Sequence, residues 1–259
     1  MSMKIAITGK GGVGKSTLAA ALSLLLAQRG RTVLAVDADP DANLAASLGI
    51  PADVRARIVP IARQAKLVEE RTGARAGAFG QMFRMNPEVS DIADAYAWRH
   101  RGVALLVLGG VTRGGGGCAC PENVLLKSLV THVVLHRDET LLLDMEAGIE
   151  HLGRGTTRGV DAMIIVVEPG QRSLDTARQV KTLGAELGLR RFGVVANKIT
   201  GPADEAFVRA AIPAEELLGV VPYADQFHAA DRDGGSVLDG LSADMLQMFE
   251  DILDKLEKG

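Results

Sequence analysis

Short apolar runs alternate along most of the chain with longer segments whose apolar positions recur at helical spacing. The runs VALLVLG at 103–109, TLLLD at 140–144 and AMIIVVE at 162–168 lack polar alternation, the pattern of strands covered on both faces. With the runs at 4–8, 32–37, 193–197 and 217–221 they predict seven strands. Helices are predicted at 16–29, closed by Gly30, and at 61–71, 122–135, 173–187 and 241–256. Strands that alternate with helices read as repeated βαβ units, so the expected fold class is α/β, a mainly parallel sheet flanked by helices on both faces. Two stretches interrupt the alternation: 72–101, with scattered glycines and the only Trp, and the glycine-rich TRGGGGCACP at 112–121. Loops on a rigid scaffold are where function concentrates.

The length of 259 residues fits one large α/β domain or two small ones at ~150 residues per domain. No repeat, charge block or Pro-rich linker divides the chain, so a single domain over 1–259 is expected. The apolar share of 47% and charged share of 24% exclude a disordered chain. Aromatic residues make up only 3%, so the core must come from Leu, Val, Ile and Ala, without platforms for stacking bases. Lys and Arg number 29 against 32 Asp and Glu, which provides no basic excess for a phosphate backbone; no nucleic-acid partner is expected. The longest nearly apolar run, 18–27, is too short to span a bilayer. The opening MSMKIAITGKGG lacks an apolar signal segment, and the expected location is the cytoplasm. The C-terminal SADMLQMFEDILDKLEKG mixes acids with lysines on its polar face, unlike a basic membrane-surface helix, so no stable membrane association is expected.

Gly9-Lys10-Gly11-Gly12-Val13-Gly14-Lys15-Ser16 follows a predicted strand and opens a predicted helix, matching G-x-x-x-x-G-K-[ST] in its required context. The backbone N–H groups of such a loop wrap phosphates, the helix N-terminus adds positive potential, and Lys15 neutralises the β- and γ-phosphates. Ser16 is the expected Mg²⁺ ligand, and Thr17 joins the nucleotide contacts. Asp37, at a strand end, suits the water shell of Mg²⁺, because a hard cation prefers carboxylate oxygen and retained water. The strand Leu141-Leu142-Leu143-Asp144 ends in a second such carboxylate.

Lys10 is a second lysine inside the motif. With it the chain resembles the deviant Walker A ATPases, the family of the division-site-selecting and chromosome-partitioning ATPases and the nitrogenase iron protein. The resemblance implies a homodimer in which Lys10 reaches the partner's phosphates, the same device as an arginine finger, worth ~10³ to 10⁵ in rate. It implies that Asp37-Ala38-Asp39-Pro40-Asp41-Ala42-Asn43 is a first switch, with Asp39 positioning the attacking water. It also makes Asp144 the Walker B carboxylate and Gly148 part of a second switch.

Asn197 can pair its amide with adenine nitrogens, beside Lys198. Thr200 stands where GTPases of the N-K-x-D type place the Asp that accepts from guanine, so ATP is favoured over GTP. Pro222 and Tyr223 fit equally beside the base or in a turn.

Cys118 and Cys120 offer two thiolates, whereas a closed soft-metal site wants four ligands. Two-fold symmetry completes such a site, with the pair from each protomer converging across a dimer axis; unliganded thiols remain the other reading. His132 and His136 share a helix face at i, i+4. Without the Glu of H-E-x-x-H, and with Lys127 and Arg137 nearby, they read as surface or packing residues. His100 and His228 carry no motif.

Gly117-Cys118-Ala119-Cys120-Pro121-Glu122, the run from Asp144 to Gly155 and Val167-Glu168-Pro169-Gly170 resemble the CooC-type accessory ATPases, which serve nickel incorporation into carbon monoxide dehydrogenase. The resemblance implies a cytoplasmic homodimer that hydrolyses ATP, holds Ni²⁺ or Zn²⁺ through the paired cysteines and promotes maturation of that enzyme's Ni-Fe-S cluster. Thiolates alone do not choose nickel over zinc. Two rivals are a positioning or partitioning ATPase and an iron-sulfur electron donor. The donor's cluster cysteine falls just beyond the Walker B strand, where this chain has Met145-Glu146-Ala147.

Overall fold

The computed structural model describes residues 2–75, 81–110, 120–148, 152 and 154–258. Among them, eight strands form one sheet in the order β3-β4-β2-β5-β1-β6-β7-β8. They are β1 (Lys4–Gly9), β2 (Val33–Asp37), β3 (Trp98–His100), β4 (Val103–Val107), β5 (Thr140–Asp144), β6 (Ala162–Val167), β7 (Phe192–Ile199) and β8 (Leu217–Pro222). All neighbours are parallel except β3, which runs antiparallel to β4 at the edge.

The helices are α1 (Lys15–Gln28), α2 (Leu44–Ser47), α3 (Ala52–Arg55), α4 (Ala65–Thr72), α5 (Ile92–Tyr96), α6 (Pro121–His136), α7 (Arg154–Thr157), α8 (Gln171–Glu186), α9 (Pro202–Ala211), α10 (Asp225–Asp233) and α11 (Ala243–Lys258). Successive residues of one strand point to opposite faces. Leu142 therefore joins α1, α2 and α11 in one apolar layer, while Leu141 and Leu143 join α4, α6 and α8 in the other. The unbroken apolar run of β5 is the sequence form of burial on both faces.

All seven predicted strands are present, with small shifts at their ends. The predicted helix 61–71 is broken in two: a 3-10 turn over Ile61–Arg63, then α4. Pro60 sets the turn, and the Ala62 N–H donates to the Leu108 carbonyl at 2.9 Å, holding it against the end of β4 instead of continuing a helix. The sequence reading did not anticipate β3, the short helices α2, α3, α5 and α7, or α9 and α10. No described helix is long and apolar enough to cross a membrane.

Candidate functional site: a nucleotide cradle at the strand ends

In a parallel α/β sheet, ligands bind in the crevice beyond the carboxyl ends of the strands. The ends of β1, β2, β5 and β7 carry the chemistry here. β1 runs into the loop 9–14, and α1 starts directly behind it. Gly14, the N-cap of α1, has φ +99°, and a Cβ there would strike the Asn197 amide, so both backbone and space require glycine. Cβ atoms at Gly11 and Gly12 would meet nothing, which leaves the mouth of the loop open. The loop opens onto a cleft of about 510 Å³, lined also by Ser16, Thr17, Asp39, Asn43, Glu146, Pro222, Tyr223, Ala224, Phe227 and His228.

The charges in this cleft are unusual for a protein interior. Lys15 is buried, and its Nζ lies 3.6 Å from Asp39 Oδ2. Asp37 and Asp144 are both fully buried. Asp37 accepts from the N–H groups of Leu44 at 3.0 Å and Asp39 at 3.3 Å. Burial, and then the neighbouring Asp144, push its pKa up to about 8. Asp144 is pushed by burial to about 6, with Ser16 and Lys15 pulling it back. Neither Asp144 oxygen has a hydrogen-bond partner of normal geometry. Buried, unpartnered carboxylate oxygens beside a phosphate loop suit the hydrated sphere of Mg²⁺, a ligand set of Ser16, Asp37 and Asp144, direct or through water.

The two segments expected to act as switches are tied, in their described parts, to the central strands. The Ala38 N–H donates to the Asp144 carbonyl at 2.8 Å. Thr8 Oγ1 lies 2.9 Å from the Glu146 carbonyl and 3.1 Å from that of Gly148, so a hydroxyl on the strand before the loop holds the start of the second switch. Thr8 was missed in sequence because a Thr inside a strand carries no motif. Ile149, Glu150, His151 and Gly153 of the second switch lie outside the described residues.

On the side expected to hold the base, Asn197 Nδ2 donates to the Val13 carbonyl at 2.8 Å, and Lys198 Nζ to the Gly12 carbonyl at 2.6 Å. The amide donor read as an adenine contact is thus engaged with the phosphate loop. Lys198 adopts φ +59°, a left-handed backbone that turns β7 towards the loop. Pro222 and Tyr223 line the cleft, and the Tyr223 ring lies 5.8 Å from that of His228 on α10. Phe227 and His228 were not expected here, since His228 carries no motif.

Cys120 is the extended N-cap of α6, followed by Pro121 at the first helical position, and is half-buried. Burial raises its thiol pKa, the Asn123 N–H opposes this, and Glu122 adds to the rise. Cys118 and the glycines at 114–117 lie outside the described residues. Among the described residues, no group of three or more His, Cys, Asp or Glu is placed to hold a metal. The described root of the cysteine loop does reach the nucleotide site. The Leu108 N–H donates to the Asp37 carbonyl at 2.9 Å, and Gly110 packs so tightly on Pro40 that an added Cβ would stand 2.5 Å from the Pro40 Cβ.

A phosphate loop, buried strand-end carboxylates and a mainly parallel sheet define a P-loop ATPase. The chain belongs to the CobQ/CobB/MinD/ParA nucleotide-binding family, which it matches over residues 4–237. Within that family it is similar to the carbon monoxide dehydrogenase accessory protein CooC of Rhodospirillum rubrum, with 46% identity over 92% of this chain and 90% of that one. An uncharacterized ATP-binding protein of Methanocaldococcus jannaschii is 41% identical over 98% and 99% of the two chains. In fold it matches the MinD cell division protein of Aquifex aeolicus (TM-score 0.67, 23% identity, 100% of this chain and 98% of that one). It likewise matches the septum site-determining protein MinD of Pyrococcus horikoshii, solved with Mg-ADP (TM-score 0.69, 20% identity, 100% and 97%). The chain is therefore an ATPase.

Proposed function

We propose that this ATPase is a nucleotide-switched homodimeric metallochaperone that promotes nickel incorporation into the Ni-Fe-S cluster of carbon monoxide dehydrogenase, acting in the cytoplasm. The observation that carries the reading is the contact of Gly110 with Pro40, since it joins the root of the cysteine loop to the residue after Asp39. A movement of Pro40 would press on Gly110. The relationship to a carbon monoxide dehydrogenase accessory protein supports the client.

The backbone N–H groups of Gly11, Gly12, Val13 and Gly14 bind the phosphates, and Lys15 neutralises them. Mg²⁺, when bound, supplies positive charge to the phosphate oxygens. Lys15 is paired with Asp39. An arriving γ-phosphate competes for Lys15 and releases Asp39 to orient the attacking water. Lys10 of each protomer completes the other's site, so hydrolysis waits for dimer closure. The cargo, Ni²⁺ with Zn²⁺ as competitor, is held by Cys118 and Cys120 from both protomers.

Anaerobic Ni²⁺ titration with mass determination of the oligomer tests this, on the native chain and a Cys118→Ala/Cys120→Ala variant. One tightly held Ni²⁺ per dimer, lost in the variant, is the expected result. Tight binding unchanged in the variant, or cysteine-dependent metal held by a monomer in every nucleotide state, would overturn it.

A further inference from the structure

The histidine pair on α6 takes no part in the nucleotide site. His136 is the last residue of α6 and exposed, and His132, one turn earlier, is half-buried. Their ring centroids are 5.3 Å apart, with the planes tilted by 41°. A metal at the usual Zn–N length of ~2.0–2.1 Å stands about 3 Å from each ring centre, and two such arms at a tetrahedral angle span about 5 Å. The rings are thus already near the separation that one shared ion requires. They border a cleft of about 480 Å³ that also takes in Thr32, Asp94 and Asp138.

The surroundings favour a cation. Of the positive charges around the pair, Lys4 Nζ donates to the Val134 carbonyl between the two histidines, and Arg137 is forked between Asp94, at 2.7 and 3.0 Å, and Glu139, at 2.6 and 2.8 Å, so the Arg137 charge is already compensated. Asp138 lines the same cleft, and Glu88 lies close enough to act on His132. The carbonyl end of α6 adds partial negative charge.

We infer that His132 and His136 form an open docking site for a borderline transition-metal ion, Ni²⁺, Zn²⁺ or Cu²⁺, with water in the remaining positions. Imidazole ligands suit these ions and not Mg²⁺. No third protein ligand is in place among the described residues, so the site is built for exchange and not for permanent retention. It is separate from Cys120: the 12 residues from Cys120 to His132 span about 18 Å of helix.

The test is isothermal titration of the full chain carrying Cys118→Ala/Cys120→Ala with NiCl₂, in excess Mg²⁺. This background removes the proposed cysteine site, so the outcome does not depend on that reading. One Ni²⁺ per chain is expected, and adding His136→Ala, at an exposed position that leaves the core untouched, should weaken it about tenfold or more. Adding His132→Ala should do the same, and Cu²⁺ bound to the parent should show nitrogen coupling by electron paramagnetic resonance that each His variant reduces. No Ni²⁺ bound by the cysteine-free chain, or binding unchanged by His136→Ala, would overturn the inference.

Discussion

Asp37 at the end of β2 is the register partner of Asp144 at the end of β5, and both side chains are fully buried. Adjacent strands are about 4.8 Å apart, so two carboxylates share a space with little water to separate them. Such a pair resists double ionisation until a cation arrives.

That relationship sets a pH dependence. Both pKa values lie above the ordinary 3.8, at about 8 for Asp37 and about 6 for Asp144, so the folded chain holds these protons more tightly than the unfolded one. Their stabilising contribution is fully present below the ordinary carboxylate value and is lost as pH rises through about 6 and then about 8. Without Mg²⁺ or nucleotide, the thermal midpoint should fall across this window. Asp37→Asn should flatten the fall and melt higher than the native chain at its alkaline end. Mg-ATP binding near neutral pH should release protons, seen calorimetrically as a heat that varies with buffer ionisation enthalpy. An unchanged slope in Asp37→Asn would show that the pair does not govern stability. Chelating Mg²⁺ should abolish turnover.

The two lysines of the phosphate loop should separate by phenotype. Lys15 is buried against Asp39, whereas Lys10 is only half-buried at the rim. Lys15→Ala should abolish ATP binding. Lys10→Ala should leave binding largely intact and reduce turnover ~10³-fold or more, the scale of a lost charge supplied in trans. Fluorescent-nucleotide binding and phosphate release measure the two effects separately. Full turnover in Lys10→Ala would remove the argument for a partner-completed site.

Asn197 distinguishes a base contact from a fastening of the loop. Its Nδ2 holds the Val13 carbonyl, and it stands against Gly14. Asn197→Ala should therefore weaken ATP and GTP together, about tenfold, the cost of roughly 1.4 kcal/mol of loop order. Competition binding of both nucleotides is the measurement. A selective loss of ATP would instead assign the amide to adenine.

The uneven legibility of the sequence has a physical basis. β4, β5 and β6 were readable because burial on both faces leaves an unbroken apolar run, and the phosphate loop because its glycines and lysine sit at fixed spacing. β3 was not readable: three residues, Trp98–His100, gain their strand character only from pairing with β4. The Asn197–Val13 bond joins positions 184 apart, and the Thr8 bonds to the second switch bridge 138 and 140, so neither leaves a local pattern. The break in the helix predicted over 61–71 likewise depends on the Leu108 carbonyl of a distant strand.

Gly110 tests whether nucleotide and metal communicate. A methyl group at this position would stand 2.5 Å from the Pro40 Cβ and 3.1 Å from its Cα, so Gly110→Ala must displace either the first switch or the root of the cysteine loop. Interiors do not absorb such overlap by compression. If the contact couples the two sites, the native chain should show a reciprocal effect: whatever factor ATP imposes on Ni²⁺ affinity, Ni²⁺ imposes on ATP affinity. Gly110→Ala should shrink both factors equally while each ligand, added alone, still binds. Cys118→Ala/Cys120→Ala should abolish the coupling and leave basal ATP hydrolysis within about threefold. Paired titrations, Ni²⁺ with and without a non-hydrolysable ATP analogue and the analogue with and without Ni²⁺, give both factors. Coupling undiminished in Gly110→Ala would place the connection elsewhere, at the second switch held by Thr8.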